Sequence, residues 1–305
     1  MALRIVPTDF LTVQDAIVAS SPGDSIKILA GTFDGFEVDV ENLKIFGCGI
    51  GRTIIAGAPA QGTSDGVVVS ADRTILQGFT VQGFQASGVE VNSNNNILKS
   101  IESTASNNGF TNNGENNLII KCVASINGGH GFEFLDSGRM SCLIRNESSQ
   151  NFLRGFSVNG RINFFIHNIA KDNVNAGFFL FGTLNSVWSN TSIRNQFGVQ
   201  IEFNSTSNQV IKNNVCNNVN SGIIVQTFVG PGLNVIDSNI VRNNGTDDTD
   251  AGILIPTGRT GNTIRFNKAR NNFEFDIEAG PGAEPPNNTF DGNKCGNSDP
   301  PGLCT

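Results

Sequence analysis

Six polar residues between positions 130 and 194 have side chains that could do chemistry on an anionic substrate. A histidine or lysine can remove a proton, and an arginine can neutralise a carboxylate and so make the carbon beside it more acidic. Two carboxylates can instead form the acid–base pair of a hydrolase or hold Ca²⁺. The plain alternative is that all six are solvated turn residues. The six are His130, Glu133, Arg154, Lys171, Asp172 and Arg194.

The composition predicts an all-β protein. The 305 residues include 35 Gly, 41 Asn and 23 Phe, with no Tyr and a single Trp. Asn and Gly are poor helix formers, whereas 38% hydrophobic content is enough to fill a core and argues against disorder. The net charge of −7 argues against a general nucleic-acid or membrane-surface binder.

Location and redox state are only loosely constrained by the sequence. No run approaches the ~20 apolar residues that a membrane span needs, so we expect no membrane insertion. The first residues lack the basic-then-apolar layout of a signal peptide. The protein is therefore either cytoplasmic or an extracellular or cell-surface protein whose leader has been removed. Cys295 and Cys304 bracket a Gly/Pro-rich tail, and a disulfide between them would indicate an oxidising compartment.

A short element, Gly followed by apolar-x-apolar, recurs along the chain. Its copies are mostly 21 to 24 residues apart, with one interval of 30 residues and one of 43. The copies begin at Gly88, Gly131, Gly155, Gly177, Gly198, Gly222 and Gly252. Strands this short bury their apolar side only when they stack, so the repeat predicts a parallel β-helix of about ten coils.

Two Asn series accompany the Gly elements and predict corners between the strands. Asn tolerates the left-handed turn conformation, and its amide can bond to the same residue one coil away, which predicts an asparagine ladder. One series includes Asn168, Asn190, Asn214, Asn239 and Asn267, and the other includes Asn173, Asn195, Asn217, Asn243 and Asn271. We expect residues 1–60 to hold a cap and the first coils, 61–280 the β-helix body and 281–305 a capping tail.

The N-terminal motif carries a family resemblance. Thr12-Val-Gln-Asp-Ala-Ile17 places Val13, Ala16 and Ile17 on one helical face, and Ser21-Pro-Gly-Asp24 then turns into a strand. Together with the Asn-cornered repeats, this resembles the pectate-lyase-like right-handed parallel β-helix superfamily over essentially the whole chain. The superfamily includes polysaccharide lyases, glycoside hydrolases, uronate epimerases, tailspikes and non-enzymatic surface proteins, so the resemblance implies the fold more strongly than any activity.

The resemblance implies that the Gly-apolar-x-apolar strands and their flanking loops form a substrate cleft. There Arg154 or Arg194 would neutralise a uronate carboxylate, and His130 or Lys171 would act as the base. Relatives often use Tyr as the acid, and this chain has none. Glu133, Asp172 and Gln200 would contact substrate. Two outward rings, Phe179 and Phe181, would form a sugar-stacking platform, a homotrimer contact or a surface buried under a loop.

Two further charge patterns carry weaker predictions. Basic residues recur after the inner Ile or Leu of successive coils, and in a net-acidic protein this stripe suggests an acidic polysaccharide; protection of a solvent face against association is the alternative. The stripe contains Lys99, Lys121, Arg145, His167, Lys212 and Arg265. Asp247, Asp248 and Asp250 in an acidic insert could bind Ca²⁺. No other cofactor is expected.

The sequence therefore favours a carbohydrate-active β-helix that cleaves an acidic polysaccharide by β-elimination or epimerises it. One alternative is a non-catalytic structural or adhesive rod, and another is a glycoside hydrolase with paired carboxylates. The expected partner is an acidic polysaccharide, not a nucleic acid, and the expected state is a monomer or homotrimer.

Overall fold

The protein is an all-β parallel solenoid. The computed structural model describes residues 1–226 and 231–305, which form two compact units, Met1–Phe152 and Leu153–Thr305. The solenoid has about 13 turns, matching the 13 strands of its longest sheet, and the expectation of about ten was too low. That estimate omitted early copies of the Gly element at Gly35 and Gly66, which lie 31 residues apart, and a copy at Gly109 that ends in Asn112.

In the first unit, strands numbered in chain order form three parallel sheets, which we call A, B and C. Sheet A contains β1 (Leu3–Val6), β2 (Ser25–Ile28), β5 (Lys44–Phe46), β8 (Ile75–Gln77), β11 (Ile97–Lys99), β14 (Leu118–Ile120) and β17 (Cys142–Ile144). Sheet B contains β3 (Gly31–Phe33), β6 (Thr53–Ile55), β9 (Thr80–Gln82), β12 (Glu102–Thr104), β15 (Val123–Ser125) and β18 (Glu147–Ser149). Sheet C contains β4 (Phe36–Val38), β7 (Val67–Val69), β10 (Ser87–Val91), β13 (Asn108–Asn112) and β16 (Phe132–Phe134).

In the second unit the same three sheets continue the numbering. Sheet A contains β20 (Phe164–Ile166), β23 (Ser186–Trp188), β26 (Gln209–Ile211), β29 (Val235–Asp237), β32 (Thr263–Arg265) and β35 (Thr289–Asp291). Sheet B contains β21 (Ile169–Lys171), β24 (Thr191–Ile193), β27 (Asn214–Cys216), β30 (Ile240–Arg242) and β33 (Lys268–Arg270). Sheet C contains β19 (Phe156–Val158), β22 (Phe178–Leu180), β25 (Val199–Ile201), β28 (Ile223–Val225), β31 (Ala251–Ile255), β34 (Phe275–Ala279) and β36 (Ser298–Asp299).

The core of each unit is a column of stacked apolar side chains. Side chains alternate between the two faces of a strand, so the first and third residues of a typical sheet C strand point inward. Phe110 stacks on Phe132 with ring centroids 4.8 Å apart, and Phe156 stacks on Phe178 at 4.7 Å. These spacings equal the distance between neighbouring strands, so each coil adds one ring to the column.

A short helix packs at the N-terminal end of the first unit, as the sequence predicts. Helix α1 (Val13–Val18) is capped by Thr12, whose hydroxyl accepts a hydrogen bond from the Asp15 amide at 3.0 Å. Its buried residues are Val13, Ala16 and Ile17. Because this apolar face contacts β1, β2 and β4, the helix shields strand ends that would otherwise be exposed.

Most corners between strands use two residues: one in the left-handed conformation, then a buried residue whose side chain, where it is polar, bonds to a neighbouring coil. At the corner between sheets A and B, Asn190 donates its backbone amide to Asn213 Oδ1 at 2.8 Å. The ladder partner is thus Asn213 rather than the expected Asn214. At the corner between sheets B and C the ladder likewise contains Asn218, Asn244 and Asn272, each one residue after the position that the sequence suggested.

A third ladder runs along the corner between sheets C and A of the second unit, and the sequence analysis missed it. Its residues are all buried, and each backbone amide bonds to the side-chain oxygen of the next member. The members are Asn163, Asn185, Asn208, Asn234, Asn262 and Asn288. All three corners of the second unit therefore carry an asparagine ladder.

The cysteines and the helices bear on the environment in which the protein works. Cys295 and Cys304 form a disulfide in the C-terminal tail, with Cα atoms 5.7 Å apart. Burial raises the pKa of the Cys122 thiol to about 12, so this free cysteine stays protonated and packs as an apolar residue. In the part of the chain that the structure covers, no helix combines the length and apolar character needed to cross a membrane.

Candidate functional site

The outer face of sheet C carries one outward residue from each coil, and its chemistry differs between the units. In the first unit these residues are paired in register as Glu37, Val68, Glu90, Thr111 and Glu133. In the second unit they are Ser157, Phe179, Gln200, Ile224, Leu254, Glu278 and Asp299. The first row therefore carries carboxylates along its length, whereas the second has aromatic and aliphatic residues in its middle coils and carboxylates only in its last two.

A groove of about 380 Å³ lies on the outer face of sheet C in the second unit. The Arg154 guanidinium carbon lies 3.3 Å from the centroid of the Phe179 ring, so the two planes are in direct contact. The rings of Phe179 and Phe181 are parallel with centroids 6.5 Å apart. The groove is lined by Arg154, Asn175, Phe179, Phe181, Phe197, Gln200, Glu202 and Phe203.

Polar groups on one wall of this groove belong to β25 and the residue after it. Gln200 Nε2 donates to Glu202 Oε1 at 2.5 Å and lies 3.3 Å from Gln226 Oε1. Glu202 is only 7% exposed. The sequence analysis missed Glu202, although strand alternation gives the signal: it lies two residues after Gln200 and so shares its outward face.

In the first unit, His130 and Glu133 lie together at the start of β16. The His130 Nε2 and Glu133 Oε1 atoms are 3.9 Å apart, and both side chains are mostly buried. Asn108 on the preceding coil contacts both residues: its Nδ2 donates to Glu133 Oε2 at 2.7 Å, and its Oδ1 accepts from the His130 backbone amide at 2.9 Å. This arrangement holds an imidazole beside a carboxylate, which is a geometry suited to proton transfer.

A second carboxylate site in the first unit was not expected from the sequence. Burial raises the pKa of Glu90, and the neighbouring Asp65 carboxyl raises it further by repulsion. Asp65 is 8% exposed, and its Oδ1 accepts from the Ser87 backbone amide at 2.7 Å. Asp65 directly precedes the copy of the Gly element at Gly66. The sequence analysis omitted that copy and therefore did not find this pair.

Arg194 and Asp172 occupy the corner between sheets B and C in the second unit, both with left-handed backbones. Arg194 donates to both Asp172 oxygens, with N–O distances of 2.6 and 2.8 Å. This hydrogen bonding holds the pKa of Asp172 below its ordinary value, so Asp172 stays ionised and suits neither a general acid nor a proton-sharing pair. Lys171 ends β21 in sheet B. His130 lies in the first unit and Arg154 in the second.

The expected basic stripe is divided between two registers. Lys121 and Arg145 in the first unit, and His167 and Lys212 in the second, are left-handed corner residues with φ between 54° and 56°. Lys99 instead pairs with Ile120, one residue before that corner. Arg265 also ends its strand, and its Nε lies 2.7 Å from Asp237 Oδ2. The stripe is therefore two partial rows, because Lys99 and Arg265 follow the buried residues Leu98 and Ile264, whereas Lys121 and Arg145 follow the outward-facing Ile120 and Ile144.

The acidic insert holds its carboxylates apart by binding them to its own chain. Asp247 accepts from the Thr249 amide at 3.0 Å, and Asp250 is buried and accepts from the Thr246 amide at 3.2 Å. Within residues 1–226 and 231–305, no group of three His, Cys, Asp or Glu side chains is placed to hold a metal ion.

Comparisons with known proteins agree on the fold. Residues 128–269 match the family model described as "Right handed beta helix region". The A-module of mannuronan C-5 epimerase AlgE6 from Azotobacter vinelandii has a TM-score of 0.75 at 15% identity, covering 92% of this chain and 87% of that one. Pectate lyase Pel9A has a TM-score of 0.54 at 14% identity, covering 93% of this chain and 72% of that one. The Dettilon tailspike protein has a TM-score of 0.59 at 16% identity, covering 81% of this chain and 57% of that one. No curated protein sequence matches the chain. The resemblance to the pectate-lyase-like right-handed parallel β-helix superfamily is thus confirmed at the level of the fold.

Proposed function

We propose that this chain binds an acidic, uronate-containing polysaccharide on the outer face of sheet C and acts on it by β-elimination or epimerisation. The observation that carries the proposal is the contact of the Arg154 guanidinium with the Phe179 ring in a groove lined by further aromatic rings. Similarity in fold to a mannuronan C-5 epimerase module and a pectate lyase supports the substrate class.

The groove combines the two kinds of contact that a uronate residue needs. Aromatic rings such as Phe181 offer flat apolar surfaces, and Phe181 is 43% exposed. The guanidinium of Arg154 lies against the Phe179 ring, and guanidinium groups recognise carboxylates through bidentate hydrogen bonds. Phe179 itself is only 6% exposed, so its role is to support the arginine rather than to contact sugar.

Both reactions begin with the same step. A base removes the proton from C5 of the uronate, and the electron pair is delocalised into the carboxylate, which a cation stabilises. In β-elimination this pair then forms the C4–C5 double bond as the C4–oxygen bond breaks, and the leaving oxygen takes a proton. In epimerisation C5 receives a proton on its opposite face, and no C–O bond breaks.

The residues divide these tasks. Arg154 neutralises the carboxylate of the sugar in the groove. Gln200 and Glu202 supply polar contacts to the rest of that sugar. His130, held beside Glu133, is the proton-transfer group of the first unit. Arg194 takes no direct part, because its guanidinium is bound to Asp172. The Cys295–Cys304 disulfide favours an extracellular site of action, since disulfides persist in oxidising compartments.

A non-catalytic carbohydrate-binding rod is the second candidate. The absence of Tyr, the acid that relatives often use, favours it, as does similarity in fold to a tailspike protein. A rod would use the same groove for binding alone.

Product analysis separates the candidates. The protein is incubated with polymannuronate, polygalacturonate and chondroitin in D₂O, and ultraviolet absorbance of unsaturated uronates, reducing ends and C5 deuteration are followed together. Absorbance with new ends indicates a lyase, and deuteration without new ends indicates an epimerase. New ends alone would indicate a hydrolase, and binding without any product would indicate a rod. Arg154→Ala should abolish turnover, whereas the matched variant Arg194→Ala should retain it.

A further inference from the structure

A cluster of four cations lies on the outer face of sheet B in the second unit, away from the residues assigned above. Arg242 and Arg270 are register neighbours on β30 and β33. The backbone of Lys268 forms an isolated parallel β-bridge with that of Lys294 on the following coil. With Ile240 they line a pocket of about 430 Å³. The sequence analysis did not find this cluster, because its members come from two alternate strand positions and from a coil that lacks the Gly element.

The cluster differs from several other arginines of the chain. Arg194, Arg265 and Arg73 each pair with a carboxylate about one coil away, on Asp172, Asp237 and Glu41. Within the described part of the chain, none of the four clustered cations lies within 4.0 Å of a carboxylate oxygen.

The energetics favour an anionic occupant. Register neighbours lie ~4.8 Å apart and alternate residues of one strand ~7 Å apart, so each side chain has a like charge at short range. Like charges directly opposite one another on a sheet are destabilising. A protein with a net charge of −7 gains nothing in general charge balance from concentrating four cations in one pocket. An anion placed among them would relieve the repulsion and accept several charge-assisted hydrogen bonds.

We propose that this pocket is a second saccharide-binding site, which takes a carboxylated or sulfated sugar unit of an anionic polysaccharide. Its small volume and the apolar Ile240 side chain suit a single sugar ring with one or two anionic groups. The site is independent of turnover on sheet C, so the proposal does not rest on the proposed function.

Binding of defined ligands to the full chain tests the proposal. Isothermal titration is run at low and high salt with an oligouronate, a sulfated oligosaccharide, inorganic sulfate and a single-stranded oligonucleotide. We expect one of the two saccharides to bind more tightly than sulfate, and Arg242→Ala/Arg270→Ala to weaken that binding at least about tenfold. The matched control is Arg52→Ala, which removes an exposed arginine of the first unit and should leave affinity unchanged.

Lys268→Gln/Lys294→Gln provides a second variant pair that preserves side-chain length, and thermal melts of all variants verify folding. The proposal is overturned if neither saccharide binds, or if the cluster variants bind both saccharides as the parent does. It is also overturned if sulfate binds as tightly as the saccharides, or if the oligonucleotide binds more tightly through the same residues.

Discussion

The two units build sheet C from the same kind of strand, but the middle coils of the second unit present apolar side chains outward where the first unit presents carboxylates. In the first unit the outward row includes Glu90 and Glu133, whereas in the second the equivalent positions include Phe179, Ile224 and Leu254. Outward positions are not constrained by the core, so the difference reflects what each face contacts. Under the proposed function, the first unit supplies the proton-transfer group and the second supplies the surface that binds a sugar ring.

The corners differ in the same direction. Every described corner of the second unit carries an Asn ladder, but ladder positions in the first unit include Thr74, Ser106, Cys122 and Ser141. A Ser or Cys side chain has one donor hydrogen on the same atom that accepts, whereas an amide has a separate oxygen and two N–H donors and so can reach both neighbouring coils. The second unit is therefore expected to gain more stability from its corners, and the first to depend more on apolar packing.

The largest expected effect separates proton transfer in the first unit from recognition in the second. His130→Ala should lower kcat by about 10²- to 10⁴-fold with little change in KM, because it removes a general base. Phe181→Ala should mainly raise KM, because it removes a binding surface and no reacting group. Steady-state kinetics on the polymer identified by product analysis measure both. Equal effects of the two variants on kcat would contradict this division of roles.

The next effect is on stability and compares ladder residues. Asn213 is buried, and its Nδ2 donates to the Val187 carbonyl at 2.8 Å and to Asn239 Oδ1 at 3.0 Å. Asn213→Ala leaves the Val187 carbonyl and the Asn190 amide without these partners and should lower the free energy of unfolding by about 3 kcal/mol. Ser141→Ala in the first unit should cost about 1 kcal/mol. Urea denaturation measures both, and a larger loss for Ser141→Ala would refute the comparison of corners.

A smaller, pH-dependent effect tests the carboxylates of the first unit. Burial, and then Asp65, raise the folded-state pKa of Glu90 above its ordinary 4.5, so the folded state binds a proton that the unfolded state has released. Stability from this group is full below 4.5 and is lost as the pH rises through the folded-state value. Glu90→Gln should therefore stabilise the protein relative to the parent near neutral pH but not at pH 4. Thermal melts across this range measure the difference, and a pH-independent offset would argue against the assignment.

Much of this architecture follows from the sequence, because a repeated residue in a solenoid occupies a repeated environment. The repeat predicts the three strands per coil, and Val13, Ala16 and Ile17 predict the buried face of the helix. The ladder positions were ambiguous by one residue because Asn213–Asn214, Asn217–Asn218 and Asn243–Asn244 are doublets, in which the outward corner and the inward ladder residue are the same type.

The site was less predictable, since side-chain pairing depends on register that the motif does not fix. Arg154 and Arg194 are the same residue type two coils apart, yet one stacks on Phe179 and the other binds Asp172. Glu202 and the sheet B cations lie outside the Gly element and so carry no repeat signal. The sequence therefore predicts which face is exposed better than it predicts which exposed charge is already paired.

The smallest expected effect comes from exchanging the residues at one corner position between the units. Ile126 in the first unit and Asn217 in the second both occupy the left-handed corner between sheets B and C, with φ of 57° and 56°. Both backbone amides donate to a carbonyl on the next coil, at 3.1 and 3.2 Å, so the corner geometry is the same.

A β-branched side chain in this conformation costs about 1–2 kcal/mol, and Asn tolerates it. Ile126→Asn should therefore stabilise the protein by about 1 kcal/mol, and Asn217→Ile should destabilise it by a similar amount. Ile126 is 60% exposed, so losing its side chain sacrifices little packing. Chemical denaturation of the two variants and of the double variant tests this. If Ile126→Asn destabilises the protein while Asn217→Ile is neutral, backbone strain does not distinguish the corners, and the apolar side chain of Ile126 must instead be buried against a partner.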